Sequence, residues 1–263
     1  MERLLKQDRL IIGSALFLIT AISWYYLVYL HGEMKGIDLM MSMKNCTMKM
    51  AMPMTGGWTG TDFLMMFLMW SIMMVAMMIP SAAPLLLLYA SISRKNAQTD
   101  APYAPTGFFL LGYILVWSGF SAVAAFLQWF FQAHALLSPM MISTSTKLGS
   151  GILLIAGVFQ FTPFKNTCLT HCRSPLEFIM KHWKTGPAGA LGMGVRHGTY
   201  CLGCCWMLMA VLFVTGIMNL LWVGVISLFV LLEKIAPKPL LISRIAGILL
   251  IGDAVLLLMR IGA

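Results

Sequence analysis

The chain has 263 residues, of which 60% are hydrophobic and only 10% are charged. A soluble domain carries about 25% charged residues, so this composition excludes a soluble globular fold and predicts an integral membrane protein. The formal net charge of +9 does not indicate nucleic-acid binding, because the basic residues are dispersed among apolar segments. Their expected neighbours are the headgroups of a lipid bilayer.

Hydropathy predicts an all-α, polytopic transmembrane helical bundle with about seven spans of about 20 residues each. The spans cover residues 10–30, 63–91, 107–129, 148–161, 188–216, 218–232 and 240–259. Six spans remain the alternative, because almost no loop separates the fifth span from the short sixth. Pro80 and Pro84 lie inside the second span and predict a kink or break near Ile79. We treat residues 1–263 as a single membrane domain.

Basic residues set the orientation of these spans. Arg3, Lys6 and Arg9 precede the first span, and no small-residue cleavage site follows it, so we expect an uncleaved anchor. Most of the other basic residues fall on the same side as the N-terminus, which the positive-inside rule places in the cytoplasm. Residues 31–62 then form an extracytoplasmic, methionine-rich loop. Residues 162–187 form a cytoplasmic loop that contains cysteine and histidine.

Methionine is the compositional outlier, with 24 residues against 18 for lysine and arginine together. In the predicted outer loop, the candidate ligands are Met43, Met48, Met50 and Met52. Alternating positions place thioethers on one side of an extended segment. Thioethers are soft, uncharged ligands that suit Cu(I), so the loop predicts metal capture. The alternative is an apolar loop that dips into the membrane, which Lys44 and Lys49 disfavour.

The second span carries a methionine ladder. Met65, Met69, Met73 and Met77 are spaced by four residues, so they share one helix face and can pass Cu(I) from turn to turn. The alternative is an ordinary packing stripe that uses methionine in place of leucine.

The fifth span carries the strongest indication of a metal site. His197, Cys201, Cys204 and Cys205 share a helix face in a segment apolar enough to cross a membrane. Histidine and thiols at that depth are costly without a partner, so we expect them to bind a metal. The alternative is an inert core, because free cysteine behaves as a small hydrophobic residue. The small residues Ala190, Gly194 and Gly198 predict that another helix approaches closely.

Charged residues in the last three spans add to this prediction. Arg196 is adjacent to His197 in the chain, and Asp253 lies in the last span. We expect them to pair with each other, or Asp253 to carry a proton or an ion. Glu233 and Lys234, which end the sixth span, predict an interfacial pair.

The predicted cytoplasmic loop holds a second set of ligands. Cys168, His171 and Cys172 stand at i, i+3 and i+4, which predicts an exit or sensing site in a reducing compartment. A zinc finger is not indicated, because the second pair of ligands is missing nearby.

Five motifs follow one another along the chain. They read MMIPSAAP (77–84), FQFTPFK (159–165), CLTHCRSP (168–175), HGTYCLGCCW (197–206) and VLLEK (230–234). In these motifs the chain resembles a bacterial family described as predicted metal-binding integral membrane proteins, a domain family of unknown function. The resemblance extends from about Phe63 to the C-terminus. It implies a multi-pass protein of the bacterial inner membrane and a metal ion, and it implies no particular substrate.

Together these observations predict a membrane copper-handling protein that moves Cu(I) across the inner membrane, in the direction of import, or delivers it there. Cu(I) is captured by the outer loop, passed along the methionine ladder, bound by the fifth span and handed to the inner ligand set. The alternatives are a metallochaperone or assembly factor that serves a copper-accepting protein, an intramembrane thiol oxidoreductase, and a structural membrane protein. Zinc held by the cysteine and histidine ligands remains the alternative metal. No enzymatic activity is predicted, and no phosphate-binding motif indicates the use of ATP.

Overall fold

A computed structural model of the protein describes residues 2–43, 59–96, 103–134 and 146–262. Within these ranges the chain is helical and contains no strand, which confirms the all-α prediction. The helices are α1 (Glu2–Met43), α2 (Gly60–Asn96), α3 (Tyr103–Ala133), α4 (Thr146–Phe159), α5 (Pro163–Arg173), α6 (Pro175–His182), α7 (Gly186–Ala210), α8 (Leu212–Thr215), α9 (Leu220–Ile235) and α10 (Pro239–Gly262).

Five of the described helices are long and apolar enough to cross a membrane. These segments are Gln7–Glu33, Gly60–Arg94, Pro105–Ala133, Gly186–Thr215 and Pro239–Met259. A sixth crossing arises if α4 and α5, which meet at a bend of 63°, form one broken span. Each predicted span coincides with a helix, but the predicted count of about seven crossings is not confirmed. The reason is length, since α9 has 16 residues and α4 has 14.

The segments between the spans are more helical than the sequence suggests. α1 continues to Met43, beyond the predicted end of the first span at residue 30. Met48, Met50 and Met52, together with the side chain of Met43, lie outside the described residues, so capture by this loop stays a prediction. The predicted inner loop of residues 162–187 contains the two short helices α5 and α6.

α2 passes through Pro80 without the predicted break. Proline has no N–H, so the carbonyl of Ala76, four residues earlier, loses its helical donor. The indole Nε1 of Trp24 in α1 donates to that carbonyl at 3.2 Å. The hydroxyl of Ser227 in α9 donates to the neighbouring carbonyl of Met77 at 3.3 Å. Neighbouring helices thus satisfy the backbone of α2, as an apolar environment requires.

α3 and α7 pack closely against each other through glycine residues. A Cβ atom at Gly194 would lie 2.0 Å from the carbonyl oxygen of Phe109, and one at Gly112 would lie 2.2 Å from that of Leu191. A Cβ atom at Gly198 would lie 3.0 Å from Val116. The predicted close approach of a second helix to Gly194 and Gly198 is therefore confirmed, and the helix that approaches is α3.

Candidate metal-binding site

α7 gathers three thiols in the interior of the bundle. Cys201, Cys204 and Cys205 are at most 1% exposed, and all three face the interior, as their spacing predicts. The thiols of Cys204 and Cys205 donate to the carbonyl oxygen of Cys201 at 3.1 and 2.9 Å. Cys172 of α5 lies close to these thiols and interacts with those of Cys201 and Cys204. We call Cys172, Cys201, Cys204 and Cys205 the thiol cluster.

Cys201 is the centre of the thiol cluster because two polar groups from other helices contact its sulfur. The Nζ atom of Lys234 in α9 donates to Cys201 Sγ at 3.0 Å and to the hydroxyl of Ser81 in α2 at 2.8 Å. The hydroxyl of Tyr113 in α3 lies 3.1 Å from Cys201 Sγ and 3.2 Å from the carbonyl oxygen of Met78. Groups from α3 and α9 therefore contact this sulfur directly, and Ser81 and Met78 of α2 hold those two groups in place.

His197 lies one turn before Cys201 and is 2% exposed. Its ring stacks on Tyr113 with the centroids 5.8 Å apart and the planes inclined by 24°. The ring of Phe178 lies 5.4 Å from it in an edge-on arrangement, with the planes inclined by 66°. Its Nδ1 atom is buried without a hydrogen-bond partner among the described residues, which is costly for a polar atom. His197 therefore has a ring nitrogen, one turn from Cys201, that no other described group engages.

The inner ligand set divides between two locations. Cys172 joins the thiol cluster, whereas Cys168 lies beside it: a Cβ atom at Gly203 would lie 2.8 Å from its sulfur, and Cys168 interacts electrostatically with Cys204. His171 is partly exposed and stacks on Tyr200 with a centroid distance of 4.6 Å. Adjacent residues of a helix point about 100° apart, so His171 and Cys172 face different neighbours.

The methionine ladder leads from the surface to the interior. Met65 is 67% exposed, whereas Met69, Met73 and Met77 are buried. Met77 precedes Met78, whose carbonyl oxygen lies next to the Tyr113 hydroxyl that contacts Cys201. The buried end of the ladder is therefore close to the thiol cluster.

The charged residues are arranged differently from the prediction. Arg196 and Asp253 are both exposed, and they form no ion pair with each other in the described part of the chain. Glu233 and Lys234 also separate, because neighbouring residues on a helix diverge. Glu233 pairs with the buried Lys165 at 2.6 Å, and Lys234 contacts the thiol cluster. The sequence does contain a signal for the contact between Lys234 and the thiols. Lys234 follows an apolar segment and the acidic residue of the VLLEK motif, where a charged side chain needs a partner.

The thiol cluster is not arranged as a complete coordination site. Over the described ranges, no group of three or more His, Cys, Asp or Glu side chains is positioned to hold a metal ion. Two of its thiols donate to a backbone carbonyl, and Lys234 contacts the third. Binding a metal therefore requires side chains to rotate, which staggered rotamers of cysteine allow.

These features define a class: an all-helical protein with several helices able to cross a membrane and with thiols gathered in its apolar interior. Within that class, the chain belongs to the PpoB2 family of copper chaperones, whose family model matches residues 67–257. The matched region contains the thiol cluster, His197, Lys234 and most of the methionine ladder. No curated protein and no solved structure matches the chain.

Proposed function

We propose that this protein is a membrane-embedded copper chaperone that holds Cu(I) at the thiol cluster and passes it to a copper-accepting protein. The contact between Cys201 and Lys234 carries the proposal, because it places one positive charge against thiols that come from two helices. On this account the ion is cargo, and the chain binds and transfers it without catalysing a reaction.

Charge balance favours Cu(I) at such a site. Cu(I) held by two thiolates carries a net charge of −1, which the Lys234 ammonium group neutralises. An uncompensated charge is costly in an apolar interior, so a matched charge strengthens binding. Zn(II) held by the four thiolates of the cluster would carry −2, which one ammonium group leaves half compensated. Soft thiolates also favour Cu(I) by their chemistry.

Binding needs only local motion in this proposal. Cys204 and Cys205 release the carbonyl of Cys201 and turn their sulfur atoms toward Cys201 Sγ. Cys172 is already within reach of that sulfur from α5. His197 supplies a further ligand through its unpartnered nitrogen or orients the ion from one turn away.

The methionine ladder is the proposed route of entry. Cu(I) enters at the exposed Met65 and passes Met69 and Met73 to Met77, next to the thiol cluster. Thioethers bind Cu(I) as neutral ligands and thiolates bind it as anions, so this order runs toward tighter binding. With a cytoplasmic N-terminus, the ladder starts on the outer side of a bacterial inner membrane. Cys168 and His171 then lie on the proposed exit side.

Metal loading tests this function. The full chain, purified in detergent, is incubated with Cu(I) or Zn(II) under reducing conditions, and bound metal is measured by mass spectrometry. We expect wild type to retain Cu(I) and the triple variant Cys201→Ser/Cys204→Ser/Cys205→Ser to lose it. Cys168→Ser is the comparison variant and is expected to keep Cu(I), because its sulfur packs against Gly203 and is not one of the four thiols of the cluster. Preferential retention of zinc, or Cu(I) retained by the triple variant, would contradict the proposal.

The same sample distinguishes a chaperone from the alternatives. A transporter moves Cu(I) into sealed vesicles that contain only this protein, whereas a chaperone releases Cu(I) when an acceptor is added. A thiol oxidoreductase forms a disulfide between Cys172 and Cys201 in turnover, with no dependence on metal. We expect release to an acceptor, without uptake by vesicles and without a metal-independent thiol reaction.

A further inference from the structure

A cavity of about 670 Å³ lies at one end of the helix bundle, between the end of α5 and the residues 236–238 that join α9 to α10. Three cationic side chains line it, and no acidic side chain of the described residues does: they are Arg173, Lys238 and Arg244. No member of the thiol cluster lines this cavity, so it is separate from the candidate metal site. The cavity therefore brings three positive charges together away from the thiols.

These three cations have no carboxylate partner in the described part of the chain. The ion pairs found there join Arg94 to Asp8 and Lys165 to Glu233. Like charges that share one cavity repel one another, and an anion bound among them removes that repulsion. The charge of the cavity is therefore suited to a ligand of negative charge.

Arg173 is positioned to hold such a ligand. One N–H group of its guanidinium donates to the carbonyl oxygen of Ala236, which holds the side chain against the segment between α9 and α10. A guanidinium has five N–H donors in a planar fork, and this fork matches the oxygens of a phosphate group. A tethered arginine therefore offers its further donors at low cost in side-chain entropy.

The first turn of α10 presents backbone N–H groups at the same cavity. α10 begins at Pro239, and Leu240 and Leu241 line the cavity directly after it. The first N–H groups of a helix have no partner within the helix, and they form the positive end of its dipole. Such a helix start binds phosphate through these groups, and here three cations surround it.

We propose that this cavity binds a phosphate group, and that the anionic headgroup of a membrane phospholipid supplies it. The ends of membrane-crossing helices lie at the level of the headgroups, and basic pockets between such helices bind anionic phospholipids. The same three residues belong to the basic set that predicts the cytoplasmic side, where the leaflet is anionic. The lipid source rests on the membrane location in the proposed function, whereas the phosphate site does not depend on copper.

Binding measurements on the full chain test the site. The protein is purified in detergent, stripped of lipid and incubated with phosphatidylglycerol, phosphatidylcholine or inorganic phosphate. Bound lipid is counted by native mass spectrometry, and bound phosphate is measured by equilibrium dialysis. We expect wild type to prefer phosphatidylglycerol, and Lys238→Gln/Arg244→Gln to bind it about tenfold or more weakly. Arg173→Gln tests the opposite wall of the cavity and is expected to weaken binding as well.

A second pair of lysines provides the matched control. Lys181→Gln/Lys184→Gln removes two exposed charges from the predicted inner segment and leaves the cavity unchanged, so we expect it to bind phosphatidylglycerol as wild type does. The thermal midpoint of unfolding shows that each variant is folded. A failure of wild type to bind Cu(I) in the same samples would count against the thiol cluster alone.

The outcomes separate the two sources of phosphate. Inorganic phosphate that binds wild type but not the double variant Lys238→Gln/Arg244→Gln, without lipid binding, would support the phosphate site and refute the lipid as its source. Binding of neither ligand, no preference for phosphatidylglycerol over phosphatidylcholine, or an equal loss in the double variant and the lysine control would overturn the proposal.

Discussion

Replacing Lys234 by methionine is the sharpest test of the charge argument. The substitution keeps a long side chain and removes the ammonium group that lies 3.0 Å from Cys201 Sγ and 2.8 Å from Ser81 Oγ. Two unit charges about 4 Å apart interact by about 4 kcal/mol at an effective dielectric constant of about 20. Lys234 is partly exposed, so we discount that figure toward the value of a hydrogen bond to a charged group, about 1.5–3 kcal/mol.

A loss of about 2–3 kcal/mol corresponds to Cu(I) binding that is roughly 30- to 150-fold weaker. The assay is competition with a Cu(I) chelator in the absence of oxygen, at fixed pH and ionic strength. Lys234→Arg retains the charge and is expected to recover most of the affinity. Lys238→Met removes an exposed lysine one turn further along and serves as the matched control. If Lys234→Met binds Cu(I) as tightly as wild type, the charge argument is refuted.

Three further predictions concern packing, delivery and the buried ion pair. Gly194→Ala places a methyl group against a carbonyl of α3 and is expected to lower the free energy of unfolding by about 1–3 kcal/mol. Gly192→Ala is the control, because its methyl group meets open space and should change the thermal midpoint of unfolding little. The triple variant Met69→Leu/Met73→Leu/Met77→Leu conserves side-chain volume and removes the thioethers. We expect it to load Cu(I) more slowly than wild type in stopped-flow measurements, with an unchanged equilibrium affinity. Equal loading rates would show that the methionine ladder is not the route of entry. Glu233→Ala leaves the buried Lys165 without its carboxylate partner and is expected to lower the free energy of unfolding by about 3–5 kcal/mol, more than the double variant Lys165→Met/Glu233→Met does; thermal unfolding measures both.

The positions of the helices and the cysteine-bearing face of α7 could be predicted from the sequence, because both depend on local periodicity. Apolar runs predict where each helix lies, and the spacing of Cys201, Cys204 and Cys205 predicts that they share a face. Gly194 and Gly198 likewise predict a close helix crossing, since a missing side chain permits backbone contact. Short helices were harder to assign to crossings, because α4 and α9 are apolar but do not reach the length of a span.

The partners of Cys201 could not be predicted from the sequence, because they depend on contacts between distant parts of the chain. Lys234 is 33 residues away from Cys201 and Tyr113 is 88 residues away. Cys172 reaches the thiol cluster from α5, after the 63° bend; Thr162 and Pro163 mark the start of α5 locally, but they do not specify the direction of the bend. Arg196 and Asp253 seemed to be natural partners by charge, yet their orientation on separate helices keeps them apart.

X-ray absorption spectroscopy of the Cu(I)-loaded protein tests the central claim most directly, because it reports the atoms bound to the metal. We predict a first shell of thiolate sulfur in wild type, unchanged in Cys168→Ser and lost in Cys201→Ser/Cys204→Ser/Cys205→Ser. A shell of nitrogen or oxygen atoms in wild type, or a sulfur shell that persists in the triple variant, would contradict the assignment of the thiol cluster as the copper site.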